Sequence, residues 1–279
     1  MTADGSHRRI DHEGFELTVT GGVGTLVIDR PEKRNALSRA MWRALPEIIA
    51  EVDADDAIGA LIITGAHGHF SAGSDIADLD VPLAEFWELN STAEAAVANA
   101  RTTTIAAIEG SCVGGGTEIA VACDLRVAAP GSVFGVTAAK LGLVYPPGPT
   151  RRLAAVIGES WARYLLVTAS IVPFEQMDRL GFFHAVSETP LEAARELGER
   201  ITGLSRLSQL GTRAVLAGEL RETGLVEAVD ANRSAAGQAP AFTPPEWLDA
   251  AYREEIARGQ EAFFAKRRPE FRFAATDWP

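Results

Sequence analysis

The sequence predicts an α/β fold, and three observations predict it. Short apolar strands alternate with amphipathic helices as far as about residue 187. From about residue 190 the pattern becomes helical. The 279 residues are 47% hydrophobic and 23% charged, proportions that support a globular core without disulfide staples.

Taken in order, residues 1–14 are polar and are expected to be loosely held. Phe15–Thr20 and Gly24–Asp29 read as strands joined at Gly21-Gly22, a hairpin turn. Arg30-Pro31 stops the second strand. Residues 36–52 carry helical spacing, with Ser38 as cap and Pro46 as a point of kinking. Ala60–Thr64 is a buried strand ended by Gly65. A loop, AHGHFSAGSDIADLD, leads to a helical stretch at 83–101, and an apolar strand follows at Thr104–Glu109. GSCVGGGTEIAVACDLRVAAP reads as loop, short helix and strand. An Ala/Gly/Pro stretch at 235–245 breaks the later helices, and a last helix runs from Pro245 to about Lys266. The expected organisation is a core from 15 to about 200 and a helical region over 201–279.

Lys and Arg total 26 against 38 Asp and Glu, a net charge of −12. Such a surface repels polyphosphate, so nucleic acid is not expected as the principal ligand, whereas a small phosphorylated ligand can still be received locally. The two cysteines, Cys112 and Cys123, cannot build a disulfide framework, which points to a reducing compartment. No apolar signal core opens the chain and no apolar run approaches ~18 residues. The expectation is a cytoplasmic protein that neither is secreted nor spans a membrane.

The most informative segment is Gly110–Thr117 with Glu118. Its spacing nearly matches a phosphate-binding P-loop, but Gly116 stands where that loop needs lysine. Dinucleotide-type G-x-G-x-x-G and nucleophile-elbow G-x-S-x-G patterns are absent. Three glycines ahead of a short helix either present unobstructed N–H groups to an oxyanion, with Glu118 one turn inside, or let a strand and helix cross closely. Phe70–Ile76, FSAGSDI, lies after a buried strand and can aim the Ser74 N–H into a crevice. Two convergent N–H groups make an oxyanion hole.

With these segments in order, the chain resembles the crotonase superfamily, the enoyl-CoA hydratase/isomerase family. The resemblance runs from Thr25–Pro31 and Asn35-Ala36-Leu37 through FSAGSDI and VGGGTEIAVACDLRVAAP to KLGL, TRRL and FFAKRRP. It implies a crotonase-type spiral of ββα turns, a helical C-terminal trimerisation region and a homotrimer or dimer of trimers. The implied ligand is an acyl-CoA thioester, with coenzyme A as part of the substrate and no permanently bound cofactor or metal. The thioester oxygen would sit on the N–H groups of Ser74 and Gly115. The resemblance places Arg34, Ala36, Ala72, Asp75, Ile76, Gly114 and Lys266 at CoA or substrate, Lys266 by reaching a neighbouring subunit's CoA.

One departure stands out. Hydratases of this family use two glutamates, of which Glu118 fills one position. The second falls 20 residues on, at Ala138, which cannot carry a proton. Three readings follow: a single-carboxylate mechanism through Glu118; replacement of the lost acid, with Tyr145 as first candidate; or decarboxylation, thioester hydrolysis or simple CoA binding with little acid–base help.

Other candidates are bland. His67 and His69 flank Gly68 but are undersupplied with metal ligands. Asp75 is expected to fix its loop through its own backbone. Cys112 and Cys123 read as small buried side chains. Arg30, Lys33 and Arg34 form a basic cluster that either meets CoA phosphates or is solvated. Trp42, Trp87 and Trp161 read as core or subunit contacts, and the 83–101 segment with Phe86-Trp87 as lining for an acyl pocket.

Overall fold

The structure, a computed structural model, describes residues 8–217 and 246–278. It divides between Ile201 and Thr202 into two compact units.

The first unit is built on a seven-stranded sheet: β1 (Arg8–His12), β2 (Phe15–Thr20), β3 (Val23–Ile28), β4 (Ala60–Gly65), β5 (Thr103–Ile108), β7 (Leu125–Ala128) and β10 (Ala185–Val186), in that spatial order. The first two pairings are antiparallel and the rest parallel. β4 is apolar along its length because both its faces are covered. Leu61 and Ile63 enter the larger core with helix α1 (Arg39–Asp53), while Ala60 and Ile62 pack with Ala194 and Ile201 of α7 (Pro190–Thr202). β5 repeats the alternation, Ala106 and Ile108 to one side, Ile105 and Ala107 to the other. Arg8–His12, which the sequence pattern left outside the fold, is a strand because the open edge of β2 offers its backbone five registered partners.

A smaller sheet, β6 (Ser111–Val113), β8 (Val133–Gly135) and β9 (Ile171–Pro173), lies beyond the ends of the parallel strands. A single bridge, Ser71↔Cys112, connects it to the loop that leaves β4, and a second, Leu37↔Ser74, ties that loop to the one that leaves β3. The segment read from sequence as loop at Ser111 is therefore a strand. Between the sheets run α2 (Leu83–Ala98), α3 (Gly115–Ala122) and α4 (Pro147–Ile157), followed by α5 (Glu159–Thr168) and α6 (Phe174–Arg179). α2 ends three residues earlier than its pattern suggested, and Asp53 accepts from the N–H groups of Arg101 and Thr102 in the turn that follows. Ser38 caps α1, accepting from Met41 N at 3.2 Å, and Pro46 lies inside the helix without ending it.

In the second unit, α8 (Arg206–Ala217) and α9 (Glu246–Phe264) are organised by buried Glu255, which accepts from Ser205 Oγ at 2.8 Å and from Arg272 N at 2.9 Å. Trp247 and Trp278 meet edge to face. The 235–245 stretch lies outside the described residues. Among the described residues, no helix is long and apolar enough to cross a membrane.

Candidate active site

Three loops meet beyond the C-terminal ends of β3, β4 and β5. Asn35, buried and at positive φ, ties the first two together: its Nδ2 donates to Ala66 O and His69 O, and its Oδ1 accepts from Arg30 N. Ser71 Oγ donates to Asn35 O at 2.7 Å. The sequence pattern marked Asn35 only as part of a family match; a non-glycine forced to φ 59° and wholly buried is the physical signal of its structural task.

This lacing fixes the direction of the Ser74 amide. In the parallel bridge Leu37↔Ser74, Leu37 N donates to Gly73 O at 2.7 Å and Asp75 N donates to Leu37 O at 2.8 Å. Successive groups on an extended chain point to opposite sides. The Ser74 N–H therefore faces away from Leu37, towards α3, and has no acceptor among the described residues.

α3 presents the second amide. Gly115 is its first residue, so its N–H has no helical carbonyl to bond. The preceding Gly114 adopts φ 55°, ψ −119°, a conformation that only glycine enters easily. A Cβ at Gly115 would lie 2.6 Å from Trp42 Cζ2 and 3.3 Å from Ser74 N; one at Gly116 would lie 2.5 Å from Ser71 O. Close packing and exposed N–H groups, alternatives in the sequence, are thus both present. The contact also places the nitrogens of Ser74 and Gly115 within about 6 Å of each other.

Glu118 stands one turn into α3, 1% exposed, and its Oε1 has no hydrogen-bond partner among the described residues. Burial pushes its pKa well above the ordinary carboxyl value. The charge of Glu94 pushes the same way, and a hydrogen bond with Tyr145 only partly opposes them. Tyr145 is half-buried. Its hydroxyl donates to Gly114 O at 3.0 Å and stands beside the Glu118 carboxyl. Desolvation and that neighbouring charge raise its own pKa well above 10.

Glu94 is the residue that sequence reasoning missed. It lies on the buried face of α2, 1% exposed, in ion-pair contact with Arg152 Nε of α4. Burial lifts its pKa above the ordinary carboxyl value, and the Arg152 guanidinium only partly offsets that. The retained carboxylate at 118 is therefore not alone. Ala138, at the head of a 3-10 turn, packs its methyl against the core. The available sequence signal was a glutamate in helical register with Phe86, Asn90, Ala93 and Val97 on the buried face of α2.

The remaining predicted residues divide. Asp75 is spent on structure: its Oδ1 accepts from Ala77 N and its Oδ2 meets Arg30 at 3.2 Å. Burial would raise its pKa, but the Ala77 amide, Arg30 and Lys33 outweigh that and hold it below the usual range. Arg30 also donates to Ala36 O, so its guanidinium turns inward and is not part of an outward basic cluster. Arg34 is exposed, Ala36 is buried, Ala72 donates its N–H to Arg34 O, and Ile76 is 67% exposed. Lys266 is exposed in the second unit.

His69 Nδ1 accepts from Ser111 N at 3.2 Å and braces the loops, while His67 is exposed. Both cysteines are buried with thiol pKa values pushed up, Cys123 to about 12, so neither is a ready nucleophile.

Beside Ser74 lies a narrow, shallow cleft lined by Leu37, Trp42, Leu79, Val81, Phe86, Leu89 and Asn90, with Arg39, Asp78 and Glu85. Ser74 Oγ accepts from Trp42 Nε1 at 3.1 Å and reaches Asn90 Oδ1 at 3.4 Å. Phe86 lines the cleft as expected of its helix. Trp87 instead donates to Val144 O at 2.7 Å, holding the loop that carries Tyr145.

The sequence profile of the enoyl-CoA hydratase/isomerase family matches residues 18–272. The chain belongs to that family. It is similar to the crotonyl-CoA hydratase of Syntrophomonas wolfei, with 29% identity across 93% of this chain and 98% of the other. Among solved structures it resembles an enoyl-CoA hydratase/isomerase family protein from Hyphomonas neptunium at 34% identity and TM-score 0.79, covering 93% of this chain and 98% of that one. An enoyl-CoA hydratase/carnithine racemase from Magnetospirillum magneticum superposes with the same TM-score at 27% identity, covering 95% and 97%. As a member of this hydratase/isomerase family, the chain has the crotonase-type fold that its sequence implied.

Proposed function

We propose that this enoyl-CoA hydratase/isomerase family enzyme holds an acyl-CoA thioester carbonyl on the N–H groups of Ser74 and Gly115 and moves a proton at the adjacent carbon through Glu118. The observation that carries the reading is the meeting of two uncommitted amides with a buried carboxyl whose Oε1 has no partner. Charge that develops on the thioester oxygen during enolate formation needs donors already in place, and one such donor is worth about 2.7–4 kcal/mol. Burial biases Glu118 towards its neutral form, which suits it to deliver a proton to the carbon next to the carbonyl.

Tyr145 serves as a hydrogen-bond donor in this scheme. Its raised pKa makes surrender of its proton costly, and it braces the peptide that carries the Gly115 N–H. The apolar cleft beside Ser74 takes the acyl chain, and the CoA moiety runs past Arg34, Ala36, Ala72 and Ile76. The same reading makes the chain a homotrimer or dimer of trimers. Exposed Leu216, Phe263 and Phe264 of the second unit would be covered by neighbours, and Lys266 would serve a neighbouring subunit's CoA.

Incubation with a panel of acyl-CoA thioesters, followed by mass spectrometry, tests the reading. The expected product is a 3-hydroxyacyl thioester, one water heavier than the enoyl substrate, formed by the unmodified chain and not by Glu118→Gln. Loss of carbon dioxide or release of free CoA would assign a decarboxylase or hydrolase instead. Binding without turnover, unaffected by Glu118→Gln, would leave a CoA-thioester binder.

A further inference from the structure

We propose that Glu94, held in place by Arg152, is the second carboxyl of this site and takes over the work for which Ala138 has no group. The proposal rests on the acyl-CoA reading above and names its missing base.

Three helices converge on the place. α2 brings Glu94, α3 brings Glu118 and α4 brings Arg152; α2, α3 and α4 pack against one another in all three pairings. Glu94 stands one helical turn beyond Asn90, which contacts Ser74 Oγ, so the two polar groups form a stripe on the inner face of α2 leading from the Ser74 amide. Its Oε1 meets Arg152 Nε, and its Oε2 lies 3.3 Å from where a Cβ at Gly148 would be. Both carboxyl groups are 1% exposed, while Arg152 retains 38% of its side-chain surface, so the buried pair reaches solvent through the guanidinium.

A buried carboxylate and a buried carboxylic acid side by side are what addition of water to a polarised double bond requires. Arg152 favours the ionised form of Glu94 against its burial, and among the described residues no cation stands at Glu118, so the proton is assigned to Glu118. The step balances as follows. Water gives a proton to the Glu94 carboxylate while its oxygen bonds to the β-carbon. The π electrons move through the α-carbon to the thioester oxygen, whose charge rests on the Ser74 and Gly115 amides. The charge then returns as the α-carbon takes the Glu118 proton. Glu94 is left neutral and Glu118 ionised, and one proton passed across the pair restores the start. The groups that bear on this titration are Glu94 from α2, Arg152 from α4, Tyr145 from the loop before it and Cys112 from β6.

The test is the hydration of crotonyl-CoA and longer 2-enoyl-CoA thioesters as a function of pH, by the full chain and four variants, Glu118→Gln among them. Glu94→Gln should lower kcat by about 100-fold or more with KM little changed, and should lose the acidic limb of the pH–rate profile. Glu94→Asp should keep that limb at reduced rate. In Glu94→Gln/Arg152→Gln no unpaired guanidinium is left behind; the loss should persist there. Recovery in the double variant would mean that the single variant suffered only from a stranded charge, and would overturn the proposal. So would a Glu94→Gln enzyme that keeps its rate while Glu118→Gln is dead, an outcome that leaves the acyl-CoA reading standing. A wild-type chain inert toward every thioester would overturn both.

Discussion

Tyr145 donates its phenolic proton to the Gly114 carbonyl, 3.0 Å away, and that carbonyl is the other end of the peptide unit whose N–H belongs to Gly115. Glu118 N donates to the same oxygen at 3.1 Å. The partner amide is braced likewise: Gly73 O, on the peptide of the Ser74 N–H, accepts from Leu37 N at 2.7 Å. Each candidate donor is thus held from behind, and a hydrogen bond to a peptide carbonyl also polarises its N–H.

Tyr145→Phe removes this brace and also the hydrogen bond that lowers the Glu118 pKa, while Glu118 itself stays in the chain. The expected effect is a fall in kcat of about fivefold, the worth of one net hydrogen bond near 1 kcal/mol, with both limbs of the pH–rate profile retained. A loss of the basic limb would instead make the phenol the acid. Steady-state kinetics across pH decides between them.

Gly115→Ala should be severe for a packing reason. Its Cβ would lie 2.6 Å from Trp42 Cζ2 and 3.1 Å from Cη2, so the indole must move, and with it the Nε1 bond to Ser74 Oγ. Both candidate donor residues are then displaced together. Turnover should fall by at least about 100-fold, since displacement of one oxyanion donor alone costs that much. Adding Trp42→Phe, which vacates the outer part of the ring, should recover part of the lost stability in thermal unfolding. A Gly115→Ala chain with normal turnover would show that Trp42 yields freely.

These contacts mark the limit of what the sequence discloses. The strands at Phe15–Thr20, Ala60 and Thr104 and the Ser38 cap were legible because each is written in local periodicity or a capping residue. The close packing of the glycine run was legible because only glycine fits where a Cβ would meet Trp42 and Ser71. Glu94 was not: a carboxyl on an amphipathic helix looks solvated until the neighbouring helix supplies Arg152. Arg30 misled for the converse reason, since a cation beside Lys33 and Arg34 reads as a surface patch until Asp75, 45 residues away, draws it inward.

Ser74 separates backbone from side chain. Ser74→Ala keeps the N–H and loses only the acceptor for Trp42 Nε1 and the long contact to Asn90, a cost of about 1 kcal/mol in stability with turnover within about tenfold of the parent. Ser74→Pro deletes the donor and also constrains Gly73, whose φ of 101° fits poorly before proline. It should abolish turnover while leaving the folded chain detectable by circular dichroism. Equal damage from both variants would show that the hydroxyl acts on substrate.

Glu118 ties the site's chemistry to the chain's stability, and the sign is fixed by its raised pKa. In the folded protein the carboxyl stays neutral above the pH at which it ionises in the unfolded chain, near 4.3. Between that pH and its folded pKa, unfolding therefore releases a proton, and stability contributed by the neutral group is lost as pH rises. Glu118→Gln cannot ionise in either state and escapes the loss. The variant should be catalytically dead yet melt higher than the parent at pH 7, by about 2–4 °C for each kcal/mol gained, with the gap closing as pH is lowered towards 4. Thermal unfolding of both chains across that range measures it. A parent that melts higher than Glu118→Gln at pH 7 would mean that the carboxyl is ionised and stabilising in the fold, which would reverse its role from proton donor to base.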